Sequence, residues 1–136
     1  MKIFIICSKA FYNDAKPIVK ILEEKGHKVT VPNSFDNPSL ESEMWKAGKD
    51  VHSKFKKKML LQSEQTISNM DAVLCLNFEK DGKPGYIGGA TFLELYEAFM
   101  KEKKIFLWDD VSEGMLFDEI NAFQPVIISG NLDLVK

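Results

Sequence analysis

The sequence predicts an α/β fold in which a five-stranded parallel sheet lies between two layers of helices. Short apolar runs rich in β-branched and aromatic residues recur along the chain, and the segments between them carry helical apolar spacing. The chain has 136 residues, 45% of them hydrophobic, which makes residues 1–136 one domain with enough apolar material for a core. The alternating order of strands and helices implies parallel strands joined by crossovers. The architecture expected is a flavodoxin-like or Rossmann-like three-layer sandwich.

The elements follow in order. Lys2 to Cys7 (KIFIIC) is a continuous apolar run, as expected of a strand buried on both faces. Tyr12 to Lys25 changes period: Ile18, Ile21 and Leu22 form one stripe, Asn13 or Asp14 offers a cap, and Gly26 ends the helix. His27 to Val31 alternates and reads as a second strand, stopped by Pro32. Asn33 to Leu40 is turn-rich, and Glu41 to Asn69 reads as one or two polar helices with a break near Gly48.

Asp71 to Asn77 (DAVLCLN) is the third strand. A glycine-bearing loop from Glu79 to Gly89 leads into a helix over Thr91 to Glu102. Lys104 to Trp108, a short helix over Met115 to Phe123, and Pro125 to Ile128 complete the pattern. In such sheets ligands bind beyond the carboxyl ends of the strands, where strand order reverses. That rim would carry Cys7-Ser8-Lys9, Asn77 to Gly89, and Trp108-Asp109.

Composition excludes several classes. Eighteen basic against twenty acidic residues give a net charge of -2, which provides no global attraction to nucleic acid or an anionic membrane. Lys54 to Lys58 is read as a solvated helix face. Cys7 and Cys75 lie in apolar runs without a CxxC or His-rich neighbourhood, so they are read as buried free thiols rather than zinc ligands. The amino-terminal apolar run is too short for a signal peptide, and no run reaches transmembrane length, so a cytoplasmic protein is expected.

Chemistry concentrates in GYIGGATFLELYEAF, Gly85 to Phe99. The loop matches neither a Walker A sequence nor the GxGxxG fingerprint. Glycines before a helix still let backbone N–H groups approach an anion, with Lys83 as an assisting charge. Thr91 to Glu94 also fits a capping box, in which Glu94 would bond back to the Thr91 N–H. Placed in the first helical turn, Glu94 would have its pKa lowered by the helix dipole, and an ionised carboxylate suits a nucleophile. Glu97 and Lys101 form an i,i+4 surface pair.

DAVLCLN, the glycine loop and GGATFLELYEAFMKEKKIFL together resemble the nucleoside 2-deoxyribosyltransferase family, which includes the deoxynucleoside 5′-monophosphate N-glycosidases. The matching residues are Asp71, Gly89, Thr91, Glu94, Ala98 and Lys103 or Lys104. KIFIICSKAFY and GHKVTVP resemble the family's first two strands. The resemblance implies cleavage or transfer at the N-glycosidic bond of a nucleoside or nucleotide. A glutamate matching Glu94 would attack C1′, as in a retaining glycosidase.

It further implies Asp71 as a second catalytic residue and a substrate site drawn from Cys7, Ser8, Lys9, Phe11, Asn77, Tyr86, Gly88, Gly89 and Thr91. No metal or organic cofactor is implied, and homo-oligomers, dimeric or higher, complete each other's sites. Two departures stand out. Ser63 falls where the family usually has a second carboxylate, with Glu64 one residue away and rotated by about 100° on a helix. The family's tyrosine near the first strand corresponds to Tyr12 or is replaced by Phe11.

The remaining candidates read as structural. His27 and His52 are placed away from the rim, which excludes Ser–His and Cys–His hydrolases. Asp109-Asp110 begins a turn, Asp118-Glu119 solvates a helix, and Trp45 and Trp108 belong to core or interface. Two further functions are carried beside the enzyme: a non-catalytic nucleotide-binding module of the same fold, and a flavodoxin-like domain that binds flavin phosphate or a partner protein.

Overall fold

The computed structural model describes all 136 residues. Five strands form one parallel sheet: β1 (Lys2–Ile6), β2 (Lys28–Thr30), β3 (Ala72–Cys75), β4 (Lys104–Leu107) and β5 (Val126–Ile127). Their spatial order is β2-β1-β3-β4-β5, the order of the flavodoxin-like sandwich. The reversal lies between β1 and β3, which pair from Ile3 with Ala72 to Ile6 with Cys75. Beyond the carboxyl ends of those two strands the chain diverges to opposite faces, which opens a crevice.

The central strands are apolar throughout because both of their faces are covered. Ile3, Ile5, Ala72, Leu74 and Phe106 pack on one face against Ala15, Ile18 and Leu22 of α1 (Tyr12–Glu24), together with Leu132 and Val135. Phe4, Ile6, Val73, Cys75, Ile105 and Leu107 pack on the other. There they meet Ile67 of α3 (Lys49–Ser68), Leu95 and Ala98 of α4 (Gly89–Met100), and Ile120 of α5 (Phe117–Ala122). Each fully buried Ile or Leu contributes about 1.5–3 kcal/mol of transfer free energy. Cys7 and Cys75 fall on opposite faces of the sheet, so the two thiols stay free and apart.

Helix starts account for most departures from expectation. After β1 the Ser8 hydroxyl accepts the Ala10 N–H and caps a 3₁₀ turn over Lys9–Phe11, which runs directly into α1. Neither Asn13 nor Asp14 therefore caps that helix, and Ile21 points to solvent while Ile18 and Leu22 reach the core. The polar helical region divides at Gly48, whose φ of 135° favours glycine, into α2 (Leu40–Ala47) and α3.

The helix after the glycine loop begins at Gly89 with Gly88 as its cap, two residues earlier than expected. Thr91 is thus the third helical residue, not the cap, and the capping box does not form. Lys101 pairs at 2.8 Å with Glu64 across the α3–α4 interface, not with Glu97 along its own helix. No helix is long and apolar enough to cross a membrane.

Candidate active site

A cavity of about 330 Å³ opens at the carboxyl ends of β1, β2 and β3. Its floor is the chain leaving β1: Cys7, Ser8, Lys9 and Tyr12. The segment after β2 supplies Pro32, Asn33 and Ser34. One stripe of α3, Phe55, Met59 and Ser63 at i, i+4 and i+8, forms a side wall, with Lys56 beside it. Opposite stand Lys80, Tyr86, Gly88 and the first turns of α4 from Gly89 to Glu94.

Glu94 faces this cavity from the second turn of α4, because the helix starts at Gly89. Its carboxylate is not folded back onto a backbone N–H. Burial pushes its pKa up to about 7; the Ser63 hydroxyl and the Lys56 charge work in the opposite direction. This corrects the expected dipole-lowered carboxyl: Glu94 lies beyond the first turn, and burial raises its pKa. Ser63, at the position where a carboxylate is usual in the resembled family, lines the same cavity and tempers that rise. Glu64, one residue on, instead faces the α3–α4 groove, as the helical rotation requires.

Positive charge surrounds the pair. Lys9, Lys56 and Lys80 line the cavity against the carboxylates of Glu41 and Glu94. Asp81 and Gly82 take positive φ in the tight turn that pairs Lys80 with Lys83, and this turn carries Lys80 inward. The Lys80 ammonium sits 4.7 Å from the centre of the Tyr86 ring. Lys83, expected to assist, is exposed and does not line the cavity. The N–H groups of Gly89, Ala90 and Thr91 have no intrahelical acceptor, and all three residues border the same space. The combination suits an anionic group on a ligand.

The structure decides between two aromatic candidates and adds lining residues that the sequence did not mark. Tyr12, not Phe11, reaches the cavity; its hydroxyl lies 3.0 Å from Ser34 Oγ. Phe11 is buried edge-on against Phe78 and Tyr86. Lys54, Lys57 and Lys58 are solvated as expected, but Lys56 turns inward and donates to Glu41 Oε1 at 3.3 Å. The same oxygen accepts His52 Nε2 at 3.1 Å. His52 is buried, its ring stacked at 4.0 Å on Trp45. It therefore stands one residue from the cavity, contrary to its expected distance from the rim. Helical rotation was the available signal: Lys56 and His52 lie four apart on one face of α3.

Besides Phe11, two expected site residues lie elsewhere. Asp71 precedes β3 at the amino end of the sheet, opposite the cavity, where its carboxylate accepts the Lys2 N–H at 2.7 Å. Asn77 is fully buried beneath the rim: its amide donates to the Asp109 carbonyl at 2.8 Å and accepts the Asp109 N–H at 2.9 Å. It latches the ends of β3 and β4 and does not line the cavity. Trp108 and Asp109 belong to that latch as well. Cys7, Ser8, Lys9, Tyr86, Gly88, Gly89, Thr91 and Glu94 do come together at the cavity. Burial raises the Cys7 thiol to about 12, so it contributes apolar surface there and no thiolate. No group of three or more His, Cys, Asp or Glu residues is placed to hold a metal ion.

No protein-family model matches the chain, and no curated protein matches its sequence. Solved structures share its fold. A CMP N-glycosidase from Clostridium botulinum superposes with a TM-score of 0.52 at 14% identity, covering 90% of this chain and 82% of the glycosidase. A 2-deoxyribosyltransferase from Bacillus psychrosaccharolyticus superposes with the same TM-score of 0.52 at 17% identity, covering 93% of this chain and 98% of the transferase. Identities of this size establish a common three-layer α/β fold. The fold expected from the family resemblance is the fold observed.

Proposed function

We propose that the protein cleaves or transfers the N-glycosidic bond of a nucleoside or nucleoside 5′-monophosphate, with Glu94 as the nucleophile. The observation that carries this is the Glu94 carboxyl itself. It faces a cavity at the switch point of the sheet, desolvated, free of any capping bond and facing a hydroxyl. The two structural neighbours, a CMP N-glycosidase and a 2-deoxyribosyltransferase by name, lend this chemistry to the fold.

In the first step the ionised Glu94 oxygen bonds to C1′. The C1′–N bond breaks, and its electron pair leaves with the base, which takes a proton from solvent water; the nucleophile of the second step returns a proton to solvent. In the second step water or another base attacks C1′ and releases the carboxylate. Lys9, Lys80 and the free N–H groups at the start of α4 would hold a 5′-phosphate. Apolar surface from Phe55 and Met59 would take the base. The second reading is a non-catalytic nucleotide pocket. It is favoured by Ser63, which puts a hydroxyl and not a second carboxylate on the cavity wall with Glu94.

The deciding experiment incubates the protein with nucleosides and their 5′-monophosphates and follows free base by chromatography, in parallel with Glu94→Gln. Base release that the substitution abolishes is the expected result. Tight nucleotide binding without any base release would leave the binding module. Unchanged release in Glu94→Gln would remove Glu94 from the mechanism.

A further inference from the structure

The carboxylate of Glu41 has no part in the chemistry above, yet it is the most firmly held acid at the cavity. Its Oε1 takes two donors, His52 Nε2 at 3.1 Å and Lys56 Nζ at 3.3 Å. Its second oxygen has no protein donor, and the residue lines the cavity. Burial tends to raise its pKa, but the His52 bond and the Lys56 charge prevail and hold it below the ordinary carboxylate range. Glu41 therefore offers a ligand one fixed acceptor and no donor.

Its neighbours show which part of a ligand would meet it. Phe55 and Met59, flanking Lys56 on α3, are the apolar wall on the same side. Lys80 and the start of α4, suited to an anion, come from the loop after β3. On the nucleotide reading, a planar base placed against Phe55 and Met59 would share the α3 side of the cavity with Glu41, and a phosphate placed at Lys80 would lie toward α4. His52 is itself fixed by the Trp45 ring, stacked at 15° between planes.

Resting on the nucleotide reading of the cavity, we infer that Glu41 determines base specificity. It accepts a hydrogen bond from an exocyclic amino group and disfavours bases that present a carbonyl oxygen there. Cytosine and adenine are taken in preference to uracil and hypoxanthine. Two acceptors brought together in a partly desolvated site repel, and neither is satisfied. His52 is a positioning residue that acts through Glu41.

The test compares cytidine and uridine 5′-monophosphates, adenosine and inosine 5′-monophosphates, and the 2′-deoxy forms of each. Both binding, by calorimetry, and base release are measured. Wild type is expected to prefer the amino base by about tenfold or more in each pair. Glu41→Gln, whose amide also donates, is expected to narrow that ratio to about threefold or less. His52→Ala should narrow it likewise, and His52→Gln, which restores a donor near Nε2, should recover it.

Equal binding of amino and carbonyl bases by wild type would overturn the inference and leave the glycosidase reading standing. A change in Glu41→Gln confined to the ratio of ribo to deoxy substrates would also overturn it, by assigning Glu41 to the sugar. A preserved amino preference in binding, with no base released from any substrate, would support the inference and remove the glycosidase reading.

Discussion

The two ends of the sheet each carry a carboxylate that the sequence singles out, and the two are in opposite conditions. At the amino end Asp71 is exposed; its bond from the Lys2 N–H holds its carboxyl below the ordinary range. At the carboxyl end Glu94 is desolvated against α3, and its pKa rises to about 7. The difference between the two acids comes from solvent and partner. A carboxylate with water on one side and a backbone donor on the other is a fixed anion that ties strands together. One removed from water, with a hydroxyl and a lysine charge that only partly offset its burial, has its pKa pushed up.

Exchanging the acids for their amides tests this contrast most strongly. Glu94→Gln should lower base release by about 10³-fold or more. Asp71→Asn should leave it within about twofold, as expected of a surface position away from the cavity. Chromatographic release from one good substrate suffices; parallel losses in both variants would show that the two sheet ends are not functionally distinct.

The carboxyl end also depends on its own latch, a buried amide where the amino end has an exposed carboxylate. Asn77→Ala strips two bonds from the Asp109 backbone and should cost about 2–4 kcal/mol in denaturant unfolding. A smaller change would mean that water replaces the amide. Close by, Gly85 has φ of +63°, and a Cβ there would lie 2.5 Å from the Asp110 carbonyl oxygen. Gly85→Ala should therefore cost about 1–3 kcal/mol and loosen the loop that carries Tyr86. Retained stability would show that the loop shifts to make room.

The pH dependence separates the two roles open to a carboxyl that titrates near 7. As a nucleophile Glu94 acts ionised, so base release should rise with pH through about 7. As a general acid it would act protonated, and release would fall over the same range. Ser63 lowers this pKa, so Ser63→Ala should move the midpoint upward. Stability runs opposite to base release. The folded pKa lies above the ordinary 4.5, so the unfolded chain loses its proton first as pH rises. The folded protein should lose stability between those two values, and Glu94→Gln should be more stable than wild type at pH 8, by roughly 1–3 kcal/mol. Equal stability there would mean the carboxylate is better solvated than its position implies.

The sequence by itself determined the sheet and its sense. Apolar runs such as KIFII and AVLC must be covered on both faces, and the helical spacing between them supplies the cover. It also marked Ser8, Lys9, the glycine loop and Glu94 as rim residues, since the carboxyl ends of parallel strands follow from strand order. Tertiary structure decided what those residues meet. The first residue of α4 was set by where the loop lands, and a shift of two residues turned Glu94 from a cap into a cavity wall. Asp71 and Asn77 flank one strand, yet one faces solvent at the far end and the other is sealed beneath the rim. Glu41, His52 and Lys56 converge because α2 folds back on α3 at Gly48, a contact between turns of two helices that no local pattern encodes. Local spacing fixes which face a side chain takes; only packing fixes its solvent, its partner and therefore its charge.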